Sequence, residues 1–187
     1  MSGARPSRRS GFGLLLLAVG RAEGFGHFGT DTDSFLSSLA PLVAFALVSA
    51  GLVALTGRVL GAAELFLVSL IGLLAPAVIA HPLCARWQRQ AYWPLYANIL
   101  NWSKLLFLMA LPVAVGLTEA LPDAGAVVAL ALLAYMLWFQ WFLARGALRL
   151  SRIRALLLLL ATQLGTNLLV LLPLLADSGD RAQIMAK

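Results

Sequence analysis

Lys104 stands inside an apolar stretch, three residues after Asn101 and six after Asn98. Spacings of three place these polar side chains on one helical face. An ammonium at the centre of a membrane span costs about 2.5–3.5 kcal/mol. Such a lysine therefore has a function, reaches the boundary along its four-carbon stem, or makes a buried structural contact. The functional reading is a proton- or anion-linked site. The structural one, favoured here, is a snorkelling anchor. A second polar set lies further along: Gln163 and Asn167, four apart, with Thr162 and Thr166 beside them. Hydrogen bonds between the two sets would tie helices together at about 0.6 kcal/mol each. A lined cavity is the sharper alternative. Glu64 is the other ionisable residue within an apolar run, at a different depth from Lys104, and no chain of His, Asp or Glu connects them. Asn98, Asn101, Lys104, Gln163, Asn167 and Glu64 thus form the candidate intramembrane polar cluster.

Other chemistry finds little support. His27 and His81 have no second ligand at a useful spacing, so a metal site is not expected. Cys84 is the single cysteine, which excludes an intrachain disulfide and a thiolate metal cage. No Ser, His and Asp arrangement resembles a nucleophile elbow or triad. The run Gly24-Phe25-Gly26-His27-Phe28-Gly29 lacks the spacing and the following helix of a phosphate-binding loop. No catalytic residue and no cofactor is therefore expected, and the chain reads as a non-enzyme.

Composition defines the setting. Hydrophobic residues make up 61% of the 187 and charged ones 12%, against roughly 25% charged in average globular domains. The apolar residues fall in runs long enough for the ~30 Å hydrocarbon core, which takes about 20 helical residues. The net charge of +6 sits beside these runs rather than in a separate basic domain. Lipid headgroups and topology explain it better than nucleic acid.

The predicted fold class is all-α, a bundle of five transmembrane helices over about 34–55, 59–80, 95–117, 124–144 and 155–176. A tail over 1–33 precedes them and a short tail over 177–187 follows. Asp31-Thr32-Asp33 marks the entry to the first span, and Pro41 lies near its start, where a missing donor is tolerated best. The short break Thr56-Gly57-Arg58 forces an antiparallel hairpin. In the third span the clean apolar part, Leu105 to Leu117, covers 13 residues, roughly 20 Å of helix. That is too short to cross. The helix must begin near Pro94 to Tyr96, drawing Asn98, Asn101, Ser103 and Lys104 toward the membrane, unless the segment is re-entrant.

Charge distribution favours five crossings. With a cytoplasmic N-terminus the inner side collects ten cations: Arg5, Arg8, Arg9, Arg21, Arg86, Arg89, Arg145, Arg149, Arg152 and Arg154. The outer side has three, Arg58, Arg181 and Lys187. Positive-inside bias then gives N-in and C-out. Trp87, Trp93, Trp102, Trp138 and Trp141 all fall near the same predicted inner boundary, as an interfacial belt would. The run Gly11 to Gly20 is too short to span. Cleavage after Ala18-Val19-Gly20 would invert the charge bias, so it is read as a retained membrane-surface helix. Its flanking arginines would contact anionic lipid headgroups, and the glycine-rich stretch after it would be a flexible hinge.

Tyr96-Ala97-Asn98-Ile99-Leu100-Asn101-Trp102-Ser103 and Phe142-Leu143-Ala144-Arg145-Gly146-Ala147-Leu148 carry a resemblance. With the outline of a tail, five close spans and a short outward end, they resemble the Yip family and its small bacterial inner-membrane relatives. The resemblance covers about Ser34 to Ala176. It implies the fold, the topology and a bacterial inner (plasma) membrane, and it supplies no catalytic residues. In eukaryotes the family is implied to bind small GTPases, machinery a bacterial member lacks. Two function classes follow: a scaffold, adaptor or accessory subunit that meets lipid, other membrane proteins or its own copies, and a small transporter using the polar faces of the third and fifth spans. The lack of an internal repeat and the odd span number weigh against transport.

Overall fold

The computed structural model describes residues 7–120 and 122–185, with side chains over 10–110, 113, 115–120 and 124–171. Helices are the only regular elements among these residues: α1 (Ser7–Ala18), α2 (Thr32–Ala54), α3 (Val59–Arg86), α4 (Trp93–Ala120), α5 (Pro122–Ala147) and α6 (Arg152–Met185). Short 3-10 helices occupy Ala22–His27 and Gln90–Tyr92. Five helical stretches are long and apolar enough to cross a membrane: Thr32–Ala54, Val59–Arg86, Gln90–Ala120, Ala124–Ala147 and Arg152–Leu171. Their mean hydropathies run from 1.6 to 2.2. This is the pattern of a multi-pass membrane protein.

Local chemistry sets the helix ends. Asp31 caps α2, accepting hydrogen bonds from the Ser34 amide at 3.2 Å and the Ser34 hydroxyl at 2.6 Å. The hydroxyl bond, the larger cause, holds the exposed Asp31 carboxyl below its ordinary value. Gly57, at φ 82°, turns the chain from α2 into α3. After α3 and after α5 a left-handed residue is not glycine: Gln88 at φ 57° and Arg149 at φ 52°. In both places an amide beyond the helix bonds back six residues' span, Arg89 to the Cys84 carbonyl and Leu150 to that of Arg145. α4 is one helix of 28 residues that starts at Trp93. The third span is therefore continuous, with its polar approach inside it. α6 runs on to Met185, so the expected tail from 177 continues the helix.

Burial is concentrated at one end of the bundle, the end that carries the α3–α4 and α5–α6 connections, called here the arginine-rich end. There Ala80 and Cys84 of α3, Tyr96, Ile99 and Leu100 of α4, Phe139 and Leu143 of α5, and Leu158 of α6 form one cluster. Leu14, Leu17 and Phe28 from the amino-terminal segment complete it.

That segment, expected as a membrane-surface helix, also packs against the bundle. α1 and the 3-10 helix after it form a hairpin that packs on the bundle, with Leu17 fully buried. The Tyr135 hydroxyl of α5 donates to the Ala18 carbonyl at 2.8 Å. Phe25 packs on Phe142 and on Gly146. Gly24 serves close approach: a Cβ there would lie 2.5 Å from the Gly13 carbonyl and 2.6 Å from Leu17 Cγ. Only one face is covered by protein, since Phe12, Leu15 and Val19 are exposed. Arg21 is exposed as well, whereas Arg5 and the Arg8 and Arg9 side chains lie outside the described residues, as do Lys187 and the Arg181 side chain.

Candidate functional site

The polar residues of α4 divide between two neighbours. Asn98 donates through Nδ2 to the Gly29 carbonyl at 3.1 Å, fixing the loop that leads into α2. Asn101 donates through Nδ2 to Ser38 Oγ of α2 at 2.9 Å, and both residues are fully buried. Ser38 in turn donates to the Phe35 carbonyl within its own helix, which frees its lone pair for Asn101. Lys104 turns instead toward α3 and donates through Nζ to the Leu73 carbonyl. At 100° per residue each three-residue step drifts back by about 60°. Asn98 and Lys104 are thus about 120° apart, enough for α2 and α3 to divide the face between them.

Lys104 makes a structural contact with the neighbouring helix. It sits about 16 Å along α4 from Trp93 by helical rise and points across to a neighbouring backbone. Pro76, three residues after the Leu73 acceptor in α3, has no amide hydrogen for the Gly72 carbonyl one turn earlier. The Leu73 carbonyl that Lys104 meets is the neighbour of that unpaired one.

Lys104 also lines an open cavity of about 300 Å³ between α3, α4, α5 and α6. Ser103, Gln140, Gln163 and Thr166 supply its other polar side chains, while Leu73, Phe107 and Met136 are among the apolar ones. The third and fifth spans do converge here. They converge through Lys104, Gln163 and Thr166, and not through the hydrogen bonds expected between Asn98 or Asn101 and the fifth span. Asn167 is exposed on α6. Glu64 is exposed on α3, nine residues or roughly 13 Å along the helix from Leu73, and does not meet Lys104. Gln140, on α5, escaped sequence reasoning because it stands alone between Phe139 and Trp141 with no polar partner at helical spacing.

Several buried polar atoms have no hydrogen-bond partner in the protein: Asn98 Oδ1, Asn101 Oδ1, Thr166 Oγ1 and Arg145 Nε. Two of the tryptophans tie elements together at the arginine-rich end. Trp93 donates to the Ala77 carbonyl at 2.9 Å, and Trp141 to that of Arg152 at 3.3 Å. The guanidinium of Arg145 lies over the Trp141 ring at 4.8 Å, and that of Arg149 over Tyr92 at 4.9 Å. Among the described residues no three His, Cys, Asp or Glu side chains come together as a metal site would require. Comparison with protein-family models, with curated proteins and with solved structures found no match.

Proposed function

We propose that this chain is a non-enzymatic integral membrane protein that acts within the bilayer as a scaffold, adaptor or accessory subunit. One observation carries the reading. The conspicuous polar side chains of α4 are engaged with their own chain, Asn98 on Gly29, Asn101 on Ser38 and Lys104 on Leu73. They hold helices rather than line a continuous path. The same proposal takes in a bacterial inner membrane, N-terminus inside and C-terminus outside, supported by the ten-to-three cation bias. Kinship with the Yip family belongs to it too, supported by the outline of tail and five spans. Reporter fusions after Gly57, Ala91, Leu121, Leu150 and Gly179 should read out, in, out, in, out. A cytoplasmic signal from the last would sink the topology. Crosslinking after gentle detergent extraction should recover membrane partners or a second copy.

The cavity favours a second reading, a small transporter or permeability factor for protons or small anions. Purified protein in liposomes separates the two. The scaffold reading expects no flux above empty vesicles. Robust flux that vanishes in Lys104→Leu, with folding intact, would establish transport.

A further inference from the structure

A groove of about 660 Å³ runs between α5 and α6 from the arginine-rich end into the membrane-spanning region. Leu137 and Trp138 form one wall, Leu156 and Leu160 the other, and Arg152 stands at its mouth. Gln163 lies at its far end and also lines the cavity beside Lys104. From Arg152 to Gln163 is eleven residues, about 16 Å of helix, close to half of the ~30 Å hydrocarbon core. The groove is therefore one leaflet deep. Its volume falls in the range of ligand sites, roughly 300–1,000 Å³.

Charge at the mouth is uncompensated. Arg145, Arg149, Arg152 and Arg154 follow one another with no acidic residue between. Trp141, which lines the groove, carries Arg145 on its ring and bonds to the Arg152 backbone. None of these arginines has a carboxylate partner among the described residues. Nε of Arg145 is buried and unpaired.

We infer that the α5–α6 groove is a binding site for one anionic phospholipid of the leaflet at the arginine-rich end. The phosphate would sit between Arg145 and Arg152, and an acyl chain would follow Leu156 and Leu160 down to Gln163. Charge complementarity selects this occupant. A second copy packed symmetrically would set the same arginines against each other, and like charges so placed are repulsive. A water-soluble anion would leave the apolar walls unused. The inference rests on the membrane reading but is indifferent to scaffold or transporter.

Native mass spectrometry of the full chain released from neutral detergent tests it, with phosphatidylglycerol and phosphatidylcholine as probes. We expect one tightly retained phosphatidylglycerol, preferred about tenfold or more over phosphatidylcholine. Each arginine removed near the mouth should weaken it about fivefold. Arg152→Gln should show one such step, and Arg145→Gln with Arg152→Gln two. Leu160→Trp fills the groove from an exposed position and keeps the arginines, so it should also lose the lipid. Arg58→Gln with Arg86→Gln removes as much charge elsewhere, from exposed positions, and should retain it. Equal affinity for the two lipids would overturn the proposal. So would equal damage from the distant pair, or displacement of the lipid by glycerol phosphate, which has the charge without the chains. Recovery of the protein from broken cells without detergent would instead overturn the membrane reading itself.

Discussion

At the arginine-rich end, side chains from five helices and the amino-terminal hairpin interlock, with Phe139, Leu17, Ile99 and Leu143 fully buried. At the opposite end α2 and α3 meet through Ala46, Ala50 and Ala62, and most larger side chains there, Leu52, Leu55, Leu60 and Leu67 among them, face outward. Two ways of holding membrane helices together are thus present in one chain. Small residues let backbones approach closely where lipid covers the rest. Large aromatics and side-chain hydrogen bonds work where an extra segment closes over the helices. The first half tolerates change; the second is specified residue by residue.

Glycine substitutions should separate the halves most widely. Gly24→Val drives a branched side chain into the Gly13 carbonyl and Leu17, an overpacking expected to cost about 3 kcal/mol. Unfolding in mixed micelles should show it, together with faster hydrogen exchange over residues 10–28. Gly116 of α4 is exposed, and a Cβ there meets nothing within 4 Å. Gly116→Ala should therefore stabilise by about 0.5–1 kcal/mol. Parent-like stability in Gly24→Val would mean that the hairpin is no part of the core.

The spans were legible in the sequence and the hairpin was not, for a physical reason. A helix that crosses a bilayer must be apolar over about 20 residues, and that requirement is visible without knowing any contact. It even put the start of α4 near Pro94 to Tyr96, next to the observed Trp93, since Leu105 to Leu117 alone cannot cross. The docking of α1 rests on pairs far apart in the chain, Tyr135 with Ala18 and Phe25 with Gly146, whose members look ordinary singly. Ser10 to Val19 also reads as one-sided under either placement, because lipid and protein accept the same apolar face. The polar cluster was half legible for a similar reason. Periodicity put Lys104 and Gln163 in the right helices, but the acceptor for Lys104 is a backbone carbonyl, which no side-chain pattern announces. Asn98 and Asn101 found partners in Gly29, read as the end of a hinge, and in Ser38, read only as part of the first span.

The Asn101–Ser38 bond is the next measure of the contrast. Asn101→Leu and Ser38→Ala, singly and together, form a double-mutant cycle in micelles. A coupling of about 1 kcal/mol is expected, within the range measured for hydrogen bonds between membrane helices. Zero coupling would leave the α2–α4 contact to packing alone, as at the opposite end.

The connections differ too. Gly57 adopts its positive φ at the opposite end without strain, whereas Gln88 adopts one with a side chain. Gln88→Gly removes that cost while loosening the unfolded chain, for a net gain of about 0.5 kcal/mol. A fall in the unfolding midpoint would show instead that the Gln88 side chain stabilises this turn.

The smallest effect concerns helix starts. α2 begins at a side-chain cap, Asp31, while α3 begins at the opposite end with Arg58, which makes none. The Ser34 hydroxyl and backbone amides favour the ionised Asp31 carboxyl, so its value in the folded chain lies below the ordinary 3.8. The cap's contribution is therefore complete above that value and is lost as pH falls through the lowered one. Asp31→Asn keeps an acceptor for the Ser34 amide but no longer titrates. Stability of parent and variant should differ by a constant at neutral pH, and the difference should shrink below pH 3.8. Other carboxylates titrate in both proteins and drop out of the subtraction. Full exposure keeps the whole effect small. A difference that stayed constant down to pH 2 would show that the ionised carboxylate adds nothing to the α2 cap beyond its hydrogen bonds.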